Sequence, residues 1–477
     1  MFKLLPRTIR CHCHKVTRSL NSTESPRCLS TTASQQQNSS EEPYDVVVSG
    51  GGMVGAAMAG SLGHHPMFEG KRILLLEGGP KKEYTLSPNF SSRTCALAAS
   101  TQELLENFGA WQHIVKSRYQ PVKRMQVWDS CSDAMITFQH DDMTENLAYL
   151  VENDVILNAI NEQVSEVSER VNVRYNSKVA SYSLPSIYSE EGADHHWASI
   201  NLEDGDTIHT KLLIGADGMK SLVRESMKVK NLSWNYDQMA VVATLQLSEP
   251  TENNVAWQRF LPTGPIALLP ISDQHSCLVW STTHDEAKRL LKLEEDMFVD
   301  AVNEAFWNSE DKDSVVDYFS KMFDSALVSV GLEGSASQQL PPTLTDVDKT
   351  SRAAFPLGLG HASNYVKPRV ALIGDAAHRV HPLAGQGVNL GFGDVSCLTR
   401  VLGEAIYNGA DLGSLSHLSE YETERQRDIV PKMAVIDGLY RLYSTSWTPL
   451  VLLRSLGLQA TNAAKPVKDQ LIFGAIS

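Results

Sequence analysis

The stretch YDVVVSGGGMVGAAMAGSL, from Tyr44 to Leu62, constrains the fold of this chain more than any other. Asp45 to Ser49 reads as a buried strand, and Met53 to Leu62 as a helix. Between them Gly50, Gly52 and Gly55 form G-x-G-x-x-G. The first glycine permits a tight turn, the second lets backbone approach a pyrophosphate, and the third lets helix pack on strand, with the helix N-terminus facing the phosphates. A second strand, RILLLEGG, ends at Glu77, 22 positions after Gly55. A carboxylate there can accept hydrogen bonds from a ribose. Alone, three glycines are also read as a structural turn. Inside strand, helix, strand and acid they specify an α/β, Rossmann-like dinucleotide-binding unit.

Two later stretches repeat the strand-loop-helix pattern. In LLIGADGMKSLVRESM, Leu212 to Gly215 reads as a short strand, Asp217-Gly218 as a turn, and Ser221 as an early helix residue. On its own this is also an ordinary strand-to-helix connection. In the second, RVALIG (Arg369 to Gly374) reads as a buried strand and leads into GDAAHRVHPLAGQGVNLGFGD, Gly374 to Asp394. Val388, Phe392, Val395, Leu398, Leu402 and Ile406 then recur at helical spacing. His378 and His381 lack further ligands at metal spacing. No G-x-S-x-G elbow is present, which argues against an α/β-hydrolase. The small residues of AGQGVNLG instead allow backbone N–H groups at a helix start to lie against a planar ring that takes on negative charge.

A net charge of -14 argues against a general affinity for nucleic acid. No apolar run has the length of a membrane span. The first forty residues carry Lys3, Arg7, Arg10, Lys15, Arg18 and Arg27 against Glu24 alone, with frequent Ser and Thr. That composition predicts a mitochondrial transit peptide over 1–42, with a disordered tail as the alternative. CHCH, Cys11 to His14, falls inside this leader, too near the terminus for a packed metal site. The other cysteines are scattered and predict no disulfide framework.

Taken together, the three motifs resemble those of the FAD-dependent aromatic-ring hydroxylases of the para-hydroxybenzoate hydroxylase fold. That family carries an N-terminal G-x-G-x-x-G, a central G-A-D-G-x-x-S-x-V-R and a late G-D-A-A-H-x-x-x-P-x-x-G-Q-G-x-N-x-G-x-x-D. The chain matches the second at Gly215, Ala216, Asp217, Gly218, Ser221, Val223 and Arg224. It matches the third at Gly374, Asp375, His378, Pro382, Gly385, Gln386, Gly387, Asn389, Gly391 and Asp394. Within the family it is most similar to the mitochondrial monooxygenases of ubiquinone biosynthesis, through SRTCAL, YLVENDVIL, WQRFLPTGPIALLPI, RAAFPL and the leader. An extended segment around HHPMFEGKR departs from the pattern and is expected to lengthen a loop.

The resemblance implies a discontinuous FAD-binding domain over 43–110, 148–228 and 362–410. It further implies a β-sheet substrate domain over 111–147 and 229–361, and a C-terminal helical region over 411–477. It implies hydroxylation of a polyprenylated 4-hydroxybenzoate-type ring at C5, with reduced flavin adding O₂ at C4a to give a hydroperoxide. By motif match Gly50, Gly52 and Gly55 face the FAD pyrophosphate, Glu77 the ribose, and Asp375 the ribityl or pyrophosphate side. Gly385, Gln386, Gly387, Val388 and Asn389 line the flavin ring, with His381 and Pro382 close by. His381 is read first as packing and second as a proton relay. Arg93 is open between phosphate neutralisation or substrate entry and a surface ion pair. Asp217 and Arg224 support FAD and reductant binding. FLPTGPIALLPI is compatible with one wall of an apolar pocket, as it is with plain core.

The implied partners are ferredoxin and its reductase as electron source and other ubiquinone-biosynthesis proteins in a complex. The implied location is the matrix, peripheral on the inner membrane. For Tyr440, Leu442, Tyr443, Trp447 and LVLLRSLGL, packing is the first reading and an interfacial helix the second. The competing functions are another flavin hydroxylase or epoxidase, of kynurenine or squalene type, and a redox-inactive FAD-binding scaffold.

Overall fold

The computed structural model describes residues 42–140, 145–185, 197–308, 314–329, 340–382 and 385–464. The leader read in the first forty residues lies outside them.

The strand order of the principal sheet is Val366–Lys367, Val370–Leu372, Thr207–Gly215, Tyr44–Ser49, Ile73–Leu76, Val171–Arg174. From Val370–Leu372 onward the neighbours run parallel. Such strands are covered on both faces, which is why VVV and LLL are unbroken apolar runs. Val46, Val47 and Val48 are fully buried. The helices Met53–His64 and Gly387–Tyr407 pack against each other beside the sheet.

Two elements differ from expectation. Thr207–Gly215 is a nine-residue strand rather than the short Leu212–Gly215. Its first half pairs antiparallel with Ala198–Leu202, a partner that no local pattern reveals. The HHPMFEGKR segment is more than loop: Pro66–Phe68 forms a 3₁₀ turn, His65 accepts the Met67 N–H at 3.2 Å, and Phe68 is buried.

A second, largely antiparallel sheet runs His378–Arg379, Ala353–Ala362, Asn231–Leu247, His275–Thr283, Gly264–Pro270, Val255–Leu261, Arg124–Asp129, Met135–Gln139. Val241, Leu268, Leu278 and Phe298 fill its own core beneath the helices His284–Lys292 and Glu295–Trp307. A small third sheet joins Thr94–Leu97, Ala148–Glu152 and Gln120–Val122.

The last described elements are helices Leu415–Tyr443 and Thr448–Ala463. Arg454 pins the last one. It is 3% exposed, donates to both carboxylate oxygens of Asp129 (2.7 and 3.0 Å), and donates to the Leu442 and Tyr443 carbonyls at the end of the preceding helix and to the Thr445 carbonyl in the link after it. Among the described residues, no helix is long and apolar enough to cross a membrane. Tyr440 and Tyr443 pack inward, while Trp447 and Leu453 stay exposed.

Candidate functional site

The strands Tyr44–Ser49, Thr207–Gly215 and Val370–Leu372 end at the same edge of the sheet, and the three motif loops meet there. In a parallel sheet this edge is where ligands bind. The loops touch. Ala216 N–H donates to Ser49 O at 2.8 Å, and Ile373 N–H to Gly215 O at 3.0 Å. Arg224 Nη1 donates to Ala376 O at 2.8 Å, tying the central motif to the late one.

The glycines divide into two kinds. Gly50, at φ +112°, and Gly55 allow backbone to meet backbone: a Cβ on Gly50 would stand 2.3 Å from Ala216 O, and one on Gly55 1.9 Å from Gly50 O. Gly391 instead makes room for a side chain beside helix Gly387–Tyr407, where a Cβ would stand 2.7 Å from Val54 Cγ2. At Gly52 and Gly387 a Cβ would meet nothing within 4 Å. These two face open space at the starts of two helices, so their backbone is free to be approached.

Acidic groups surround this space. Glu77 Oε2 accepts the Gly51 N–H at 2.9 Å and Oε1 the Gly79 N–H at 2.6 Å, so the carboxylate is held against the glycine loop. Asp375 keeps exposed surface, while burial of its carboxyl by the surrounding protein raises it above the ordinary range, against the pull of His378 and Arg379. Asp217 Oδ2 accepts the Val223 N–H at 3.2 Å, while its Oδ1 is buried with no partner. Two open glycine cradles, an outward carboxylate and an orphaned buried oxygen fit an extended cofactor with a diphosphate, a sugar and a flat ring.

Gly385 (φ +63°) lies opposite Ala96, and Gly385 N–H donates to Pro382 O at 3.1 Å. Gln386 is the cap residue of the helix from Gly387, and Val388 is half-buried. The Asn389 side chain is fully engaged. It donates to Ala96 O (2.8 Å) and accepts from Ala98 N–H (3.0 Å) and Thr101 Oγ1 (2.9 Å). It clasps the strand Thr94–Leu97, and only its backbone is left for a ring. Arg93 is exposed, and its guanidinium forms no ion pair among the described residues.

His381 is fully buried. It packs edge-on to Tyr236 (5.0 Å), stacks on Tyr440 (5.5 Å), and its Nε2 lies 3.3 Å from Gln238 Oε1. Gln238 in turn donates to Thr263 O at 2.7 Å, in the turn of the FLPTGPIALLPI hairpin. His381 thus joins the late loop, the second sheet and the C-terminal helix. Burial pushes its imidazole down to about 4, outweighing Asp437. The unfolded chain therefore binds this proton more readily, so stability is complete above pH ~6.5 and drains as pH falls toward 4. We expect wild type to lose about 2 kcal/mol more than His381→Gln between pH 7 and 5, read from denaturant melts. Equal losses would contradict this.

Sequence reasoning left the support beneath this loop without a role. Asp394, fully buried, accepts from His378 Nε2 (2.6 Å), Gly374 N–H (2.8 Å) and Arg425 Nε (2.8 Å). Burial alone would raise its carboxyl, but His378 and Arg425 outweigh that and hold it below the usual range. Arg425 also donates to Leu390 O at 3.1 Å. Nothing in ETERQRDIV separates Arg425 from Arg427; only burial does. A cavity of about 560 Å³ lies elsewhere, lined by residues such as His65, Met67, Phe108, Arg400 and Tyr407, and reaches none of the three motif loops.

Comparison with known proteins agrees with this geometry. A family profile described as FAD binding domain matches residues 43–321 and 335–434. The chain is 56% identical over 430 residues to the ubiquinone biosynthesis monooxygenase COQ6, mitochondrial, of Homo sapiens, covering 90% of this chain and 92% of that one. It is 51% identical over 458 residues to the protein of the same name in Danio rerio, covering 96% and 93%. Among solved structures, p-nitrophenol 4-monooxygenase PnpA from Pseudomonas putida shares the fold at TM-score 0.65 and 18% identity, covering 91% of this chain and 98% of that one. The probable FAD-dependent monooxygenase pqsL from Pseudomonas aeruginosa does so at TM-score 0.62. FAD is the cofactor of this chain, which belongs to the FAD-dependent monooxygenases, in the family of the ubiquinone biosynthesis monooxygenases.

Proposed function

We propose that the chain hydroxylates C5 of a polyprenylated 4-hydroxybenzoate-type ring on the route to ubiquinone, in the mitochondrial matrix at the surface of the inner membrane. The printed names of its relatives support the pathway and the organelle. The observation that carries the chemistry is the pair of open glycines, Gly52 and Gly387, at the edge where the three motif loops meet.

Reduced FAD, when bound, supplies the activation of O₂. The residues do the rest. Gly50, Gly52 and Gly55 admit the pyrophosphate, Glu77 takes the ribose, and Asp375 takes the ribityl or diphosphate side. The backbone of Gly385, Gln386, Gly387, Val388 and Asn389 lies along the flavin ring, and the N–H groups at the helix start favour negative charge on it. His381 and Pro382 hold that loop at the ring. His381, neutral and enclosed by aromatics, serves as packing rather than as a proton relay. The hairpin Val255–Leu261 and Gly264–Pro270 offers an apolar wall that excludes water. Electrons come from ferredoxin and its reductase, and substrate reaches the enzyme at the bilayer or through other proteins of the pathway.

Cells lacking the chain should accumulate a prenylated ring without the C5 oxygen. A ring analogue already hydroxylated there should restore quinone synthesis, with quinones followed by mass spectrometry. An unchanged quinone pool would mean a different aromatic substrate. Failure of the analogue, together with loss of partner proteins, would mean a scaffold.

A further inference from the structure

The chain is acidic, at net charge -14, yet one face runs against that balance. Lys220, Lys228 and Lys230 are exposed, and Arg224, Lys367 and Arg379 are half-exposed beside them. Hydrogen bonds knit these residues together. Arg379 donates to the Met219 sulfur (2.7 Å), Arg224 to Met219 O (2.6 Å), Lys367 to Met227 O (2.5 Å), and Ser363 N–H to Lys230 O (2.8 Å). Among the described residues none of the six cations forms an ion pair, unlike Arg174, Arg400 and Arg425, each of which faces at least two carboxylates. The acids along the same segments are Asp217, Glu225 and Asp375. Met219 and Leu222 expose 43% and 44% of their surface among these charges. Apolar side chains within a charged rim are the anatomy of a transient protein interface.

This face also adjoins the proposed cofactor cleft. Arg224 holds Ala376 O, next to Asp375, and Arg379 follows His378 on the same loop. From these observations we propose that the face formed by Met219 to Lys230, Lys367 and Arg379 is the docking surface for an acidic electron-carrying protein that reduces the bound flavin. The inference rests on the FAD-site reading above. Positive charge beside the cleft steers an acidic carrier toward the proposed cofactor site. The balance is simple: two carrier molecules dock in turn and each is oxidised by one electron, and FAD takes the two electrons with one proton from water. The cations extend from Lys220 to Lys230 and across to a second strand, which suits a protein face better than a single nucleotide phosphate.

The test uses the FAD-loaded full chain and a triple variant, Lys220→Glu with Lys228→Glu and Lys230→Glu. Ferredoxin kept reduced by its reductase is the probe, and anaerobic bleaching of the flavin is the readout. We expect the bimolecular rate to fall at least about tenfold at low salt, and its dependence on salt to weaken. Reduction by dithionite should not change, and a triple Lys→Arg variant should match wild type. Equal rates for wild type and the Glu variant would overturn the proposal. So would reduction of wild type by NADPH alone that the Glu variant abolishes, which would make the face a nucleotide site. So would loss of binding to anionic lipid vesicles with electron transfer unchanged, which would make it a membrane contact. A wild-type chain with no flavin for dithionite to bleach would fail the FAD-site reading itself, and the docking proposal with it.

Discussion

Gly52→Trp is expected to give a folded but colourless protein. A Cβ at this position meets nothing within 4 Å, so the fold tolerates a side chain that points into open space. In the proposed FAD site that space takes the diphosphate, and an indole fills it. A clash of this kind costs on the order of 3 kcal/mol, or roughly a hundredfold in FAD affinity. Gly55→Ala is the contrasting change, because its new carbon would stand 1.9 Å from Gly50 O and disturb the turn itself. Flavin absorbance and circular dichroism on both variants separate the outcomes. A yellow Gly52→Trp protein would contradict the assignment of the glycine loop.

Asp394→Ala should be the most destabilising single change at the site. It leaves the Arg425 guanidinium, His378 and the Gly374 N–H without their shared acceptor in a fully buried place. Removing one partner from a buried ion pair costs about 3–5 kcal/mol, because the other charge stays buried. The fall in Tm should be on the order of 5–10 °C. Asp394→Asn keeps the shape and an acceptor oxygen, so it should fall less. The sign with pH follows from the depressed carboxyl. The folded state resists protonation, so this stabilisation is present above pH ~4 and is lost as pH falls further. A thermal melt of Asp394→Ala matching wild type would remove the pair from any supporting role.

The fold and the glycine loops were legible because their demands are local. A tight turn, a close helix and an open approach each require glycine at a fixed spacing, and Gly50, Gly52 and Gly55 show it without any knowledge of distant parts. The same holds for the continuous apolar runs of the parallel strands. What stayed hidden depends on contacts far apart in sequence. Asn389 reads as a ring-lining residue by motif, but its side chain is used on Ala96, Ala98 and Thr101, nearly three hundred positions away. Gln238 and Tyr236 sit in an ordinary-looking strand, and only the folded chain brings them against His381. Arg425 carries no local mark in the sequence, and only burial sets it apart from its neighbours.

The pairing of Thr207–Gly215 has a consequence for how the chain is made. One edge of this strand lies against Tyr44–Ser49, but near the cleft its other edge is closed only by Val370–Leu372, with Leu213 opposite Val370, 157 positions later. During synthesis, or while the chain threads through a translocation pore, that edge stays bare until nearly four-fifths of the polypeptide has emerged. An open strand edge recruits other strands, and such distant closure is slow. A newly arrived chain must therefore be shielded before it can hold any flavin. Its yield in the cell should track chaperone supply as closely as it tracks riboflavin.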